Sequence, residues 1–340
     1  MQHAAKSRVA KLARKAAFHR RRAAEVPSPD RIMKWRHSLS EAQAWHEAVL
    51  LSGSPEHASN AVAACARALE LAPPEGLVRT RTRFAEVLML LGERGDQHAF
   101  ARGIALAEAA RRDTSRIFAP GAWANATWTL GRLLLRRGAT GDQIAQRRSA
   151  RELAAALRHL PRDTDPAERA TLLTDLGLAM LLVGKNNGAA QLHGAVDVLR
   201  LALVDLTPDR HSDMRVTVLN ALADAYSSLA LRGADGMLER AFAACEAAMA
   251  LCSAERTPLL WAEVRNSQGV LYLMRAQRGD RDALALAIRA LEEAVWKRPP
   301  DVVLLKRGES LHNLGDAWTL SALNGGLGAA EAAIAAYEEA

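Results

Sequence analysis

The chain has 340 residues and a net charge of +7, with 49% hydrophobic, 24% charged and 4% aromatic residues. That balance suits a folded soluble chain, and with 70 alanines it favours closely packed helices over strands. No apolar run approaches the ~18 residues of a spanning helix, and Cys65, Cys245 and Cys252 have no metal-ligand spacing, so they read as reduced core thiols of a cytoplasmic protein.

The first stretch is a basic arm, residues 1–26. Lys6, Arg8, Lys11, Arg14, Lys15, Arg20, Arg21 and Arg22 face only Glu25 there, so residues 1–25 carry the whole net charge and the remainder sums to zero. Val9, Leu12, Ala16 and Phe18 are spaced among the cations as in a loosely amphipathic helix. Such a segment can neutralise phosphates of nucleic acid or of an anionic membrane. The other reading is a solubilising tail. No motif for reading bases accompanies it.

Residues 27–76 read as a degenerate capping pair, with helical stretches near 32–51 and 56–71 and a start signal at Ser54-Pro55-Glu56. Residues 77–340 then repeat with a period of 46. Glycine recurs at Gly95, Gly141, Gly233, Gly279 and Gly325, with Asn187 in the remaining slot. Such a column marks a left-handed turn after the first helix of each copy, with asparagine as the usual substitute. Gly325-Gly326-Leu327-Gly328 falls in the same slot, so it reads as a turn and not as a phosphate loop.

Two further columns stay small in every copy: Ala85/Gly131/Gly177/Ala223/Gly269/Gly315 and Gly103/Ser149/Ala195/Ala241/Ala287/Ala333. They predict the contact between the two helices of a pair, where a larger side chain would force them apart. Larger apolar residues lie between them, as in Phe84/Leu130/Leu176/Leu222/Leu314, a column broken by Gln268. Asp165-Pro166-Ala167-Glu168 combines an N-cap acid, a first-turn proline and a glutamate. No such pair buries both faces alone, so the pairs must stack. The expected fold is all-α, a right-handed αα-superhelix or solenoid of about seven antiparallel helix pairs.

The run Leu311-x-x-Leu314-Gly315-x-x-Trp318 resembles the first-helix signature of tetratricopeptide repeats. The second-helix pattern is similar too, at Ala333, Tyr337 and Ala340 and at Ala287, Leu291 and Ala294, with prolines following the equivalent alanines at Pro161 and Pro299. The resemblance covers residues 77–340 and departs from the family in its longer period. Long arrays with phrases like Arg169-Ala-Thr-Leu-Leu-Thr-Asp-Leu-Gly177 also resemble those preceding CHAT-domain caspase-like proteases and other signalling effectors in bacteria.

The resemblance implies a non-catalytic protein-interaction scaffold or sensor, with first helices lining a concave groove that takes a peptide or partner helix. Carried over by column, the inward residues are Arg79, Thr82, Arg83 and Glu86, then Asn125, Trp128, Thr129 and Arg132, then Thr171, Thr174 and Asp175. Thr217, Asn220 and Asp224 follow, then Glu263, Asn266 and Ser267, and last Glu309, His312, Asn313 and Asp316. The column Thr82/Trp128/Thr174/Asn220/Asn266/His312 is capable of hydrogen bonding throughout, as either a peptide-binding row or a solvated polar face. Trp128 is the expected anchor. Arginines at the front and acids toward the end imply a groove that changes sign. The Lys/Asn clamp for a terminal carboxylate is missing, which disfavours capture of a chaperone tail.

Histidines including His46, His57, His193, His211 and His312 form no HExxH or HxH, and none pairs with cysteine at ligand spacing. No catalytic residue, metal or cofactor is expected. The last copy stops at Ala340 with Ile334 and Tyr337 uncovered. That suggests an effector domain beyond residue 340, or an oligomer contact through the uncapped end.

Overall fold

Helix starts are written into the chain by aspartate and proline. Asp96, Asp142 and Asp280, one column of the repeat, each accept a backbone N–H from the first turn of the helix that follows. At Asp142 the amides of Ile144 and Ala145 are 3.0 and 2.9 Å away. The Ala145 bond, more than any other contact, holds the Asp142 carboxyl below the usual carboxylate range. Pro74, Pro120, Pro166 and Pro258 form a second column, opening helices with a ring already set to helical φ.

This computed structural model describes residues 2–27 and 29–340, with side chains at all of these except 2–5, 187 and 301–305. It divides into two units, Met1–Asp163 and Thr164–Ala340. The first contains α1 (Gln2–Glu25), α2 (Arg31–Ser52), α3 (Pro55–Leu71), α4 (Pro74–Gly92), α5 (Gln97–Arg112), α6 (Pro120–Ala139) and α7 (Gln143–His159). The second contains α8 (Pro166–Asn187), α9 (Ala189–Val204), α10 (Ser212–Ala230) and α11 (Met237–Met249). It continues with α12 (Pro258–Gln277), α13 (Arg281–Trp296), α14 (Pro300–Leu323) and α15 (Ala329–Glu339). Among the described residues there is no strand. The fold is an all-α solenoid of seven consecutive helix pairs, from α2·α3 to α14·α15, with α1 packed on α2.

Inside each pair the small-residue column is the point of closest approach. A Cβ on Gly177 would lie 2.5 Å from Leu199 Cγ, and one on Gly269 the same distance from Leu291 Cγ. Both leucines are fully buried. Ser149, the polar member of the second column, is also buried and donates its hydroxyl to the Gly131 carbonyl at 2.8 Å.

The turn column is left-handed at Gly95, Gly141, Gly233, Gly279 and Gly325. Asn187 is different from expectation. It closes α8, and the left-handed residue is Gly188 with φ 119. A glycine one step later reverses the chain without a Cβ clash, so the asparagine is spared that conformation.

Within a unit, successive first helices touch: α2 with α4, α4 with α6, α8 with α10, α10 with α12, and α12 with α14. Among the described residues no contact joins successive second helices within a unit, and α3, α5, α9, α11 and α13 rest on the next first helix instead. The wall of first helices is therefore the tighter one.

Residues 2–25 form α1 rather than a tail without structure. Leu12 and Ala16 are buried on α2, and Val9, Ala13, His19 and Ala23 are half-buried on the same stripe. No helix among the described residues is long and apolar enough to cross a membrane.

Candidate interaction cleft

On α4, Glu75, Arg79, Arg83 and Glu86 recur at three- and four-residue steps and so share one face. That face turns toward α6. Between the two helices lies an open cleft of about 300 Å³, lined by Glu75, Val78, Arg79, Thr82, Arg83 and Glu86 together with Ala122 and Asn125. Arg79 and Asn125 are exposed at its rim.

Beneath the rim sits a charged cluster. Arg83 Nη1 donates to Glu86 Oε2 at 2.7 Å and lies 3.2 Å from His46 Nδ1 on α2. A guanidinium only donates, so Nδ1 accepts and the imidazole carries its proton on Nε2. Burial pushes the His46 pKa down to about 4, with the positive charges of Arg83 and Arg132 adding to the shift. His46 is therefore neutral at pH 7. Burial also raises the Glu86 carboxyl pKa, against the opposing pull of Arg83 and Arg132. Arg83 is thus fixed from two sides, whereas Arg79 remains a free fork at the mouth. The chemistry on offer is two guanidinium groups and an amide, donors suited to carboxylates and backbone carbonyls, beside the carboxylates of Glu75 and Glu86.

Of the residues expected in a groove, the cleft unites Arg79, Arg83 and Asn125 with Thr82 and Glu86. The other expected positions differ in exposure. Thr82, Trp128, Thr174, Asn220 and Asn266 are only 6–9% exposed, and His312 alone in that column is open. Thr82 still lines the cleft wall, but the column as a whole is largely covered rather than an accessible row. The hydroxyls of Thr82 and Thr174 donate to carbonyls of their own helices, Val78 at 2.9 Å and Ala170 at 2.7 Å. Asn266 Oδ1 accepts from Ser310 Oγ at 2.8 Å and Asn313 Nδ2 at 3.1 Å, tying α12 to α14. Trp128 has its ring covered by the chain itself and is a packing residue, not a presented anchor. Arg132 is half-buried on α6 and acts electrostatically on His46 and Glu86.

Several acids expected in the groove have partners in the second unit. Asp224 pairs with Lys185 at 2.8 Å. Lys306 serves both Glu263 at 3.5 Å and Glu309 at 3.4 Å, and Glu263 leads in raising the lysine pKa. Tyr337 donates its hydroxyl to Asp316 at 2.7 Å, and His312 lies 4.0 Å from the same carboxylate. Asp224 and Glu263 thus bridge successive first helices, while Glu309 and Asp316 stay exposed on α14.

Sequence reasoning missed two things. His46 drew notice only as a possible metal ligand, although its place is beneath the cleft. The arginine pair Arg232 and Arg278, one period apart, also passed unremarked. Arg232 Nη2 donates to the carbonyls of Gly184 and Lys185 at 3.0 and 2.8 Å, and Arg278 Nη2 to that of Ala230 at 3.0 Å. Each closes the end of the preceding first helix, and the recurrence after 46 residues was the available signal.

No protein-family model matches this chain, and no curated protein does. Among solved structures, it is similar to a circular tandem repeat protein with novel repeat topology and enhanced subunit contact surfaces. That similarity is 15% identity over 97% of this chain and 87% of the other, with a TM-score of 0.32, a distance at which nothing about function follows.

Proposed function

We propose that the chain is a non-catalytic interaction array of the tetratricopeptide kind that holds a protein segment in the α4–α6 cleft. The observation that carries this reading is the convergence of Arg79, Arg83 and Asn125, from two successive repeats, on one open cleft. Of these donors Arg83 is held in place before any segment arrives, so it can hydrogen-bond a carbonyl or acidic side chain at a reduced ordering cost. The thiols support a non-catalytic role. Cys65 and Cys245 are buried, with pKa values pushed up to about 12, so neither furnishes a thiolate nucleophile at neutral pH. The resemblance to arrays preceding CHAT-domain proteases supports a place in bacterial signalling, as the recognition part of an effector system.

Arg79 and Asn125 are the residues to change, since both are exposed and neither holds the cluster together. The full chain and an Arg79→Ala/Asn125→Ala variant would be compared by affinity capture, with captured proteins identified by mass spectrometry and their affinities measured. The expected result is a partner whose affinity falls at least tenfold in the variant while helicity and Tm are kept. Equal capture and equal affinity by the two proteins would reject the cleft as the site.

A further inference from the structure

We infer that the solvent face of α1 is a docking surface for the phosphate backbone of nucleic acid, independent of the cleft. The helix spends its apolar stripe on α2, and what remains outside is cationic. At about 100° per residue, Arg8, Lys11, Arg14, Lys15, Arg21 and Arg22 fall within roughly 140° of arc around Phe18, and the buried Leu12 and Ala16 lie outside that arc. All six are exposed. The only acid on the helix, Glu25, is engaged by Arg22 at 3.3 Å. From Arg8 to Arg22 the row is about 21 Å long at ~1.5 Å per residue, the axial span of about six phosphates of one strand.

The same packing argues against a lipid surface. A helix lying in a membrane interface needs its apolar face for the acyl boundary. Here Leu12 is 8% exposed and Ala16 is fully covered, which leaves Phe18 as the one large apolar side chain of α1 that is exposed. A row of cations with Phe18 as its single exposed aromatic fits a sequence-independent polyphosphate contact better than an acyl boundary.

The test uses the full chain and a fluorescein-labelled 20-base-pair duplex of random sequence, with anisotropy read at rising salt. Six phosphate contacts predict affinity falling about 10³-fold between 50 and 200 mM salt. A Lys11→Gln/Arg14→Gln/Lys15→Gln/Arg22→Gln variant keeps good helix formers at exposed positions. It should bind at least tenfold more weakly at 50 mM and lose about four contacts' worth of salt slope. The Arg79→Ala/Asn125→Ala variant should bind the duplex as the parent does, which separates this surface from the cleft. The inference is overturned if the parent's affinity is flat with salt, or if the four-site variant binds equally well. It is also overturned if the parent sediments with vesicles containing 30% phosphatidylserine while leaving the duplex unbound. Should the four-site variant lose helicity, the parent's salt slope and the vesicle comparison decide alone.

Discussion

Arg215 and Arg307 stand two repeat periods apart and make the same pair of bonds. Arg215 Nη1 donates to the carbonyls of Leu203 and Leu206 at 3.3 and 2.7 Å, and Arg307 Nη1 to those of Val295 and Arg298 at 2.7 and 2.9 Å. In both places a first helix closes the end of the second helix before it, where unpaired carbonyls and the negative end of the dipole favour a cation. Arg232 and Arg278 do the same for first helices. A guanidinium reaches two carbonyls at once and an ammonium does not do so in fixed geometry, which gives a physical reason for arginine at these sites in a chain where only seven of 45 basic residues are lysine.

Replacing Arg215 with lysine should therefore cost stability although the charge is kept. Hydrogen bonds from a charged donor are worth about 1.5–3 kcal/mol each, and lysine retains at most part of that. Thermal or urea unfolding should show a loss of about 1–2 kcal/mol for Arg215→Lys. An unchanged midpoint would mean that the helix end is satisfied by solvent.

The two kinds of glycine should respond differently to alanine. Gly177→Ala places a methyl 2.5 Å from Leu199 Cγ in a filled core and should cost about 1–3 kcal/mol through overpacking. Gly141→Ala meets nothing within 4 Å but must hold φ near 99, a strain of about 1 kcal/mol. The first change should also disturb side-chain packing seen by near-ultraviolet circular dichroism, and the second should leave it intact.

Trp128 is 9% exposed, so its loss is a core event. Trp128→Ala should destabilise the fold by about 3 kcal/mol or more, as large-to-small core changes do. Denaturant unfolding measures this directly. A variant as stable as the parent, with binding alone impaired, would restore the ring to the role of an anchor.

His46 should make the fold acid-sensitive. Its pKa falls from 6.5 in the unfolded chain to about 4 in the fold, so the unfolded chain takes up the proton first. Stability present above pH 6.5 is then lost as the pH falls toward 4, by roughly 3 kcal/mol at most. Glu86, raised by burial, works in the opposite direction above its ordinary value. The Tm of the parent should drop more between pH 7 and 5 than that of a His46→Gln variant. Parallel profiles would remove His46 from the acid limb.

Much of the fold was legible in the chain because its rules are local. A glycine that must be left-handed, an aspartate that caps the next turn and a proline that opens a helix act within a few residues, so repetition makes them visible. The small-residue columns were legible too, since close helix contact tolerates nothing larger wherever it recurs. Asn187 marked the limit of that reasoning: with Gly188 beside it, the backbone took the cheaper residue for the turn.

The site was less legible. Helical spacing puts Arg79 and Arg83 on one face of α4, the family resemblance adds Asn125 from the next copy, and the structure gathers the three around one cleft. Whether a polar column is open or buried depends on how closely successive first helices approach, a distance that no spacing within one helix encodes. Thr82, Trp128, Thr174, Asn220 and Asn266 therefore look like an open row in the sequence and are largely covered in the fold. His46 came beneath Arg83 from another pair altogether. By itself, the sequence determined the period, the helices and their small-residue contacts, which follow from backbone sterics and short-range capping. Only the tertiary structure decided which polar residues meet solvent, which acids find cations and which face of α1 is left bare, because burial is set by neighbours distant in the chain.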